Sequence, residues 1–126
     1  MRILIDTHIL IWLLHGDPQL SVDRREILID PANSVLISAA SFWEIAIKLS
    51  RGKLTLAKSI EEIFAEVHSS TSSILAIEPR HMIHVSKLPF LHKDPFDRMI
   101  IAQAIVEKIP LMSTDADFGH YGVTLL

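Results

Sequence analysis

The strongest constraint on the fold lies near the start of the chain. Ile3, Leu4 and Ile5 form a short apolar run that stops at Asp6, and Ile9, Leu10, Leu13 and Leu14 then recur at helical spacing until Gly16, Asp17 and Pro18 break the pattern. This reads as a buried strand feeding directly into a helix. The pattern repeats downstream. Residues 21–29 read as a helix closed by Asp30, Pro31, Ala32 and Asn33, and residues 35–38 as a second strand. From Ser41 the chain turns helical through Lys48, a polar stretch with Gly52 leads to an amphipathic helix over 59–68, and 74–77 is the third strand. A helix follows Pro79, a loop runs through Pro89, Phe90, Leu91 and His92, and a strong helix covers 95–108. The last strands are expected at 111–113 and 123–126. Short apolar strands alternating with helices predict an α/β fold of three layers, α/β/α. Its central sheet is mostly parallel, with about five strands and right-handed crossovers, in a single domain over 1–126.

Composition narrows the chemistry. With 126 residues, 49% of them hydrophobic, the chain can bury a proper core. A net charge of −3 gives no global positive field, so any contact with nucleic acid must be local. The absence of cysteine excludes disulfides, thiolate metal sites and a cysteine nucleophile, and fits a reducing compartment. Asp6, Thr7 and His8 interrupt the apolar N-terminus, which lacks the basic start and cleavage pattern of a signal peptide; it reads as core, with a cytoplasmic location and no membrane contact expected. The plentiful apolar residues are either a generous core or, in part, a partner surface on the helices after the second strand.

Ligands of open parallel sheets bind beyond the carboxyl ends of the strands, near the reversal of strand order. Asp6 directly follows the first strand and Asp115 the fourth, so the two face one another if those strands are neighbours. Glu44 is placed in the first turn of the helix after the second strand and Asp97 in the first turn of the helix opening at Pro95, both at positive dipole ends. Such a cluster repels itself unless a divalent cation joins it, and oxygen-only ligation suits Mg²⁺ or Mn²⁺.

Each acid also has a local reading. Ser41, Phe42, Trp43 and Glu44 match a capping box, Asp94 before Pro95 is an N-cap, Asp6 caps its helix and Asp115 shapes a turn. Those roles explain each acid singly but not why four lie at one end of one sheet.

The motifs themselves are recognisable. Asp6-Thr7-His8, the run from Ser38 to Ile45 containing Phe42-Trp43-Glu44, His92-Lys93-Asp94-Pro95-Phe96-Asp97-Arg98 with Ala102-Gln103-Ala104, Ser113-Thr114-Asp115 and Tyr121-Gly122-Val123 resemble the successive motifs of PIN-domain toxins of the VapC type, over nearly the whole chain. The resemblance implies Mg²⁺- or Mn²⁺-dependent cleavage of RNA, a homodimer, and inhibition by a small antitoxin whose tail enters the active cleft. Asp6, Glu44, Asp97 and Asp115 match the family's acidic quartet, and Asp94 an acid of the subgroup; Asp117 falls outside the pattern. Asp6 and Asp97 are then expected as principal metal ligands, Asp115 as a direct or water-mediated one, Glu44 as ligand or orienting base, and Thr7 as a group positioning water or phosphate.

Substrate contacts are expected from Lys48, Arg51, Lys53 and Lys58, the densest cationic group, unless these form a solvated helix end. Arg98 is expected to contact phosphate or pair with an acid. Trp12, Phe42 and Trp43 are read as packing rather than base stacking, and His81 and His84 as exposed histidines. Two rival readings are a catalytically silent PIN-like module and a phosphatase-like enzyme with Asp6 as nucleophile. The second lacks an acid where His8 stands.

Overall fold

The computed structural model describes residues 1–126. Four parallel strands, β1 (Arg2–Ile5), β2 (Ser34–Ser38), β3 (Ser73–Leu75) and β4 (Leu111–Met112), lie side by side in the order β3-β2-β1-β4. Six helices connect them: α1 (Thr7–His15), α2 (Val22–Ile29), α3 (Ala39–Ser50), α4 (Ile60–Ser69), α5 (Pro79–Lys87) and α6 (Pro95–Glu107), and a 3₁₀ helix (Ala116–Tyr121) follows β4.

Side chains alternate across a strand, and the two cores record that alternation. Ile3, Ile5, Val35, Ile37 and Met112 point to one face, where they meet Ile9 and Leu10 of α1, Leu28 of α2 and Ile63 of α4. Leu4, Leu36, Leu75 and Leu111 point to the other, against Ile100, Ile101 and Ala104 of α6. Ile3, Leu4 and Ile5 are wholly buried, each stabilising the fold by roughly 1.5–3 kcal/mol. This is the expected three-layer α/β/α architecture, and it explains why β1 is apolar on both faces.

The sheet is narrower than expected. Residues 123–126 form no fifth strand, because β4 offers only two residues before Ser113 turns away to accept a hydrogen bond from the Asp115 amide. The terminal segment joins through one bridge, Leu111 with Leu125, held by Leu111 N–H to Thr124 O at 2.8 Å and Leu126 N–H to Leu111 O at 3.0 Å. β3 also ends early, at Leu75, because the Gln103 side chain takes the Ala76 carbonyl.

α3 starts at Ala39 rather than Ser41. Ser38 is the N-cap, accepting from the Ala40 amide at 3.0 Å while donating to Gln103 Oε1 at 2.5 Å. Ser41 is therefore inside the helix, where its hydroxyl accepts from Thr7 at 2.9 Å. The expected capping box with Glu44 does not form, and Glu44 sits a turn deeper than the positive dipole end.

The topology places the site. The chain runs outward from β1 to β2 and β3, then crosses through α5 and α6 to β4 on the far side of β1. Strand order reverses between β1 and β4, the place where open parallel sheets form their ligand crevice at the carboxyl ends of the strands.

Candidate active site at the strand-order reversal

The four acids predicted from the sequence are carried by four different elements near that end of the sheet; Asp97 and Asp115 fall in one close group, to which neither Asp6 nor Glu44 belongs. Asp6 follows β1 and caps α1, its Oδ1 accepting from the Ile9 amide at 2.8 Å. Asp115 follows β4 and caps the 3₁₀ helix, its Oδ1 accepting from the Asp117 amide at 3.0 Å. Asp97 is the third residue of α6, a helix capped by Asp94, whose Oδ1 accepts from both the Phe96 and Asp97 amides. Glu44 is buried on α3, with Oε2 at 2.9 Å from Lys48 Nζ. The local capping roles of Asp6, Asp94 and Asp115 are therefore real, and each uses Oδ1 of a group that has two oxygens. Capping and a shared site are compatible.

Sequence reasoning missed His92. Its Nε2 lies 3.2 Å from Asp115 Oδ2 and 3.3 Å from Asp97 Oδ2, and the three residues each place one ligand-type atom within 4.8 Å of the others. The available signal was its place in the loop that runs straight into α6. That loop is clamped from two sides. The Tyr121 hydroxyl accepts from the Leu91 and His92 amides and donates to the Pro89 carbonyl. Arg98, only 5% exposed, donates to the Pro89 and Leu88 carbonyls at 2.8 and 3.0 Å, with His92 O at 3.4 Å, and its guanidinium stacks 4.0 Å from the Phe90 ring centroid. The expectation that Arg98 contacts phosphate or pairs with an acid is thus overturned, since its fork is committed to backbone carbonyls.

Burial and like charge dominate the electrostatics. Burial, and then the carboxylates of Asp94, Asp6 and Glu44, push Asp97 up to about 7, with His92 working in the opposite direction. Asp6 is also raised, chiefly by burial and further by Asp115, against lowering by Ser113, the Ile9 amide and His8. All four predicted acids therefore act within one electrostatic neighbourhood. Carboxylates crowded by burial and by one another's charge fit a hard divalent cation, with His92 Nε2 the one nitrogen beside them.

Several other expectations change. Thr7 is buried with its hydroxyl given to Ser41, so it ties α1 to α3 instead of facing water or phosphate. Of the cationic group, Lys48 pairs with Glu44 and Lys58 with Glu66, leaving Arg51 and Lys53 exposed on the turn after α3. Asp117 is a surface acid 4.0 Å from His120. His81 is wholly buried, not exposed, with Nδ1 accepting from the Glu78 amide and Nε2 at 3.2 Å from Glu107, while His84 is half-buried. Phe42 is core as expected and Trp12 is half-buried. Trp43 is not packing in that sense: it is 63% exposed and meets Phe96 edge-on at 5.4 Å, beside Glu44 and Asp97.

Fold and site together define a parallel α/β domain with an acidic crevice at its topological switch point. The PIN domain family matches residues 3–123, and the chain belongs to that family. Comparison by sequence with curated proteins found no match. Among solved structures, the chain is similar to a chain of VapBC2 from Rickettsia felis bound to a DNA fragment from their promoter, at 18% identity and a TM-score of 0.75, covering 100% of this chain and 98% of that one. A chain of VapBC-1 from nontypeable Haemophilus influenzae gives 19% identity and a TM-score of 0.73, with 100% and 97% covered. A toxin–antitoxin complex from Klebsiella pneumoniae gives 23% identity and 0.63, with 96% and 94% covered.

Proposed function

We propose that this chain is a VapC-type toxin, an endoribonuclease dependent on Mg²⁺ or Mn²⁺ that cuts RNA through Asp6, Glu44, Asp97 and Asp115. The observation that carries this reading is that Asp97 and Asp115 each place a ligand-type oxygen within 4.8 Å of the other, with Asp6 and Glu44 near enough to help push Asp97 up to about 7. The toxin–antitoxin assemblies among its structural neighbours support the toxin assignment and a small antitoxin as partner. A homodimer and a cytoplasmic location accompany this reading; no helix is long and apolar enough to cross a membrane.

Asp6, Asp97 and Asp115 would hold the cation. When bound, it supplies positive charge that makes water more acidic and offsets charge growing on the phosphate. The protein's own groups do the rest. Glu44 orients the attacking water, with Lys48 Nζ holding its Oε2 at 2.9 Å. Asp6, buried on a cap, has little freedom, so the oxygen it presents is already in place before substrate arrives. Arg51 and Lys53 supply local positive charge for the RNA backbone.

The test is incubation of the purified protein with defined RNAs, with and without chelator, beside Asp6→Asn. Cleavage that disappears in both controls is the expected result. Full cleavage in chelator, or by the Asp6→Asn protein, would overturn the reading, and calorimetry showing no Mn²⁺ uptake would favour a silent binding module.

A further inference from the structure

We infer that His92 is a positioning residue of the acidic site, fixed as a hydrogen-bond donor to Asp97 and Asp115 and kept out of the cation's own ligand set; this rests on the reading of the crevice as a cation site. By position alone, His92 invites the opposite assignment, since its Nε2 and the Oδ2 atoms of Asp97 and Asp115 lie within 4.8 Å of one another, a mixed nitrogen and oxygen group of the kind metals use.

The other ring nitrogen decides. The backbone N–H of Asp94 donates to His92 Nδ1 at 3.1 Å, so Nδ1 presents a lone pair there and carries no proton. Nε2 is then the nitrogen placed to donate, and it faces Asp115 Oδ2 at 3.2 Å and Asp97 Oδ2 at 3.3 Å. A protonated ring nitrogen has no lone pair for a metal. Histidines that do bind metals show the reverse arrangement, in which the second nitrogen donates its N–H to a carbonyl or carboxylate.

Neither partner is free to change this. Asp94 is the N-cap of α6 and Pro95 follows it, so the direction of the Asp94 amide is set by the helix start. The imidazole lies edge-on against Phe118 at 5.4 Å, and the Tyr121 hydroxyl holds the His92 amide at 2.8 Å. Turning the ring over would lose the Asp94 bond. His92 therefore spans two carboxylates that come from α6 and from the end of β4, and its N–H sets how those two oxygens are aimed.

Nitrogen NMR of the full-length protein with ¹⁵N-labelled histidine tests this directly. His92 is expected to show an unprotonated Nδ1 and a protonated Nε2, unchanged in saturating Mg²⁺, and Mn²⁺ bound to the protein is expected to show no directly coordinated histidine nitrogen in pulsed EPR. A proton on Nδ1, loss of the Nε2 proton on adding Mg²⁺, or a ¹⁴N coupling abolished by His92→Ala would overturn the inference. On RNA, His92→Ala is expected to lose activity by about 10–100-fold, the usual effect of removing a group that orients a metal ligand, and His92→Gln, which restores an N–H, to recover most of it. Equal activity of unmodified and His92→Ala proteins would also overturn it. If the unmodified protein cuts no RNA, the nuclease reading fails by itself, and the NMR and EPR results still decide the role of His92.

Discussion

The backbone N–H of Asp6 donates to the carbonyl of Met112 at 3.1 Å. The first acid of the site is thereby attached to the strand that delivers the last one, and the spacing between Asp6 and Asp115 is set by sheet pairing rather than by flexible loops. Replacing Asp6 by Asn keeps the shape and the Ile9 cap while removing a buried charge. The Asn protein is expected to melt at or above the temperature of the parent without metal, yet to lose divalent-dependent cleavage by at least about 100-fold, as removal of a preorganised charge typically does. Calorimetry paired with an RNA cleavage assay checks both halves.

The state of Asp97 makes stability depend on pH. Its folded pKa, about 7, lies above the unfolded 3.8, so between these values the folded chain binds more protons and loses stability as pH rises. The loss is complete above about 7 and amounts to a few kcal/mol at most, because each tenfold difference in proton affinity between the folded and unfolded chain is worth about 1.4 kcal/mol. Asp6 is raised in the same direction. Urea titrations from pH 4 to 8 are expected to show this slope in the metal-free protein, and a shallower one in Asp97→Asn. Identical slopes would contradict the assignment.

A cation binding only the folded state should reverse that penalty. At a hundredfold excess of Mg²⁺ over its dissociation constant, stabilisation of about 2.7 kcal/mol is expected at neutral pH. Thermal shifts read with Mg²⁺, with chelator, and with Asp97→Asn should show the gain only in the first case.

Arg98 is expected to be intolerant even of lysine. A lysine cannot reproduce the planar fork that reaches the Leu88 and Pro89 carbonyls together or its stack on Phe90. Arg98→Lys should cost on the order of 3 kcal/mol in chemical denaturation, given the usual worth of hydrogen bonds to a charged group.

Trp43 offers the opposite case. Its exposed indole, set against Phe96 beside the acids, presents a face on which a nucleobase can stack. Trp43→Ala should change stability by less than about 1 kcal/mol but weaken binding of single-stranded RNA to the Asp6→Asn protein by about 1–3 kcal/mol. Fluorescence anisotropy reads the second number. Unaltered RNA affinity would return Trp43 to a packing role.

Much of the site was legible because it obeys local rules. A run of aliphatic residues ending in an acid marks both Asp6 and the approach to Asp115, and Asp94-Pro95 announces the start of α6 two residues before Asp97. What stayed hidden depends on remote partners. Ser38 and Ser41 are equally good caps on paper, and the choice falls to Ser38 because Gln103 takes its hydroxyl while Thr7 occupies Ser41. Arg98 reads as a phosphate or acid partner and His81 as an exposed histidine until the carbonyls of 88–92 and the Glu78 amide supply their partners. His92 gains its role only through the direction of a ring, which no spacing rule encodes.

The two-residue length of β4 carries a final consequence. Asp115 hangs from the outermost and briefest strand, on the only element that reached its place by crossing the whole sheet. Leu111 belongs to one hydrophobic core and Met112 to the other, so that margin cannot fray without opening both, and the placement of Asp115 is tied to the integrity of the whole domain.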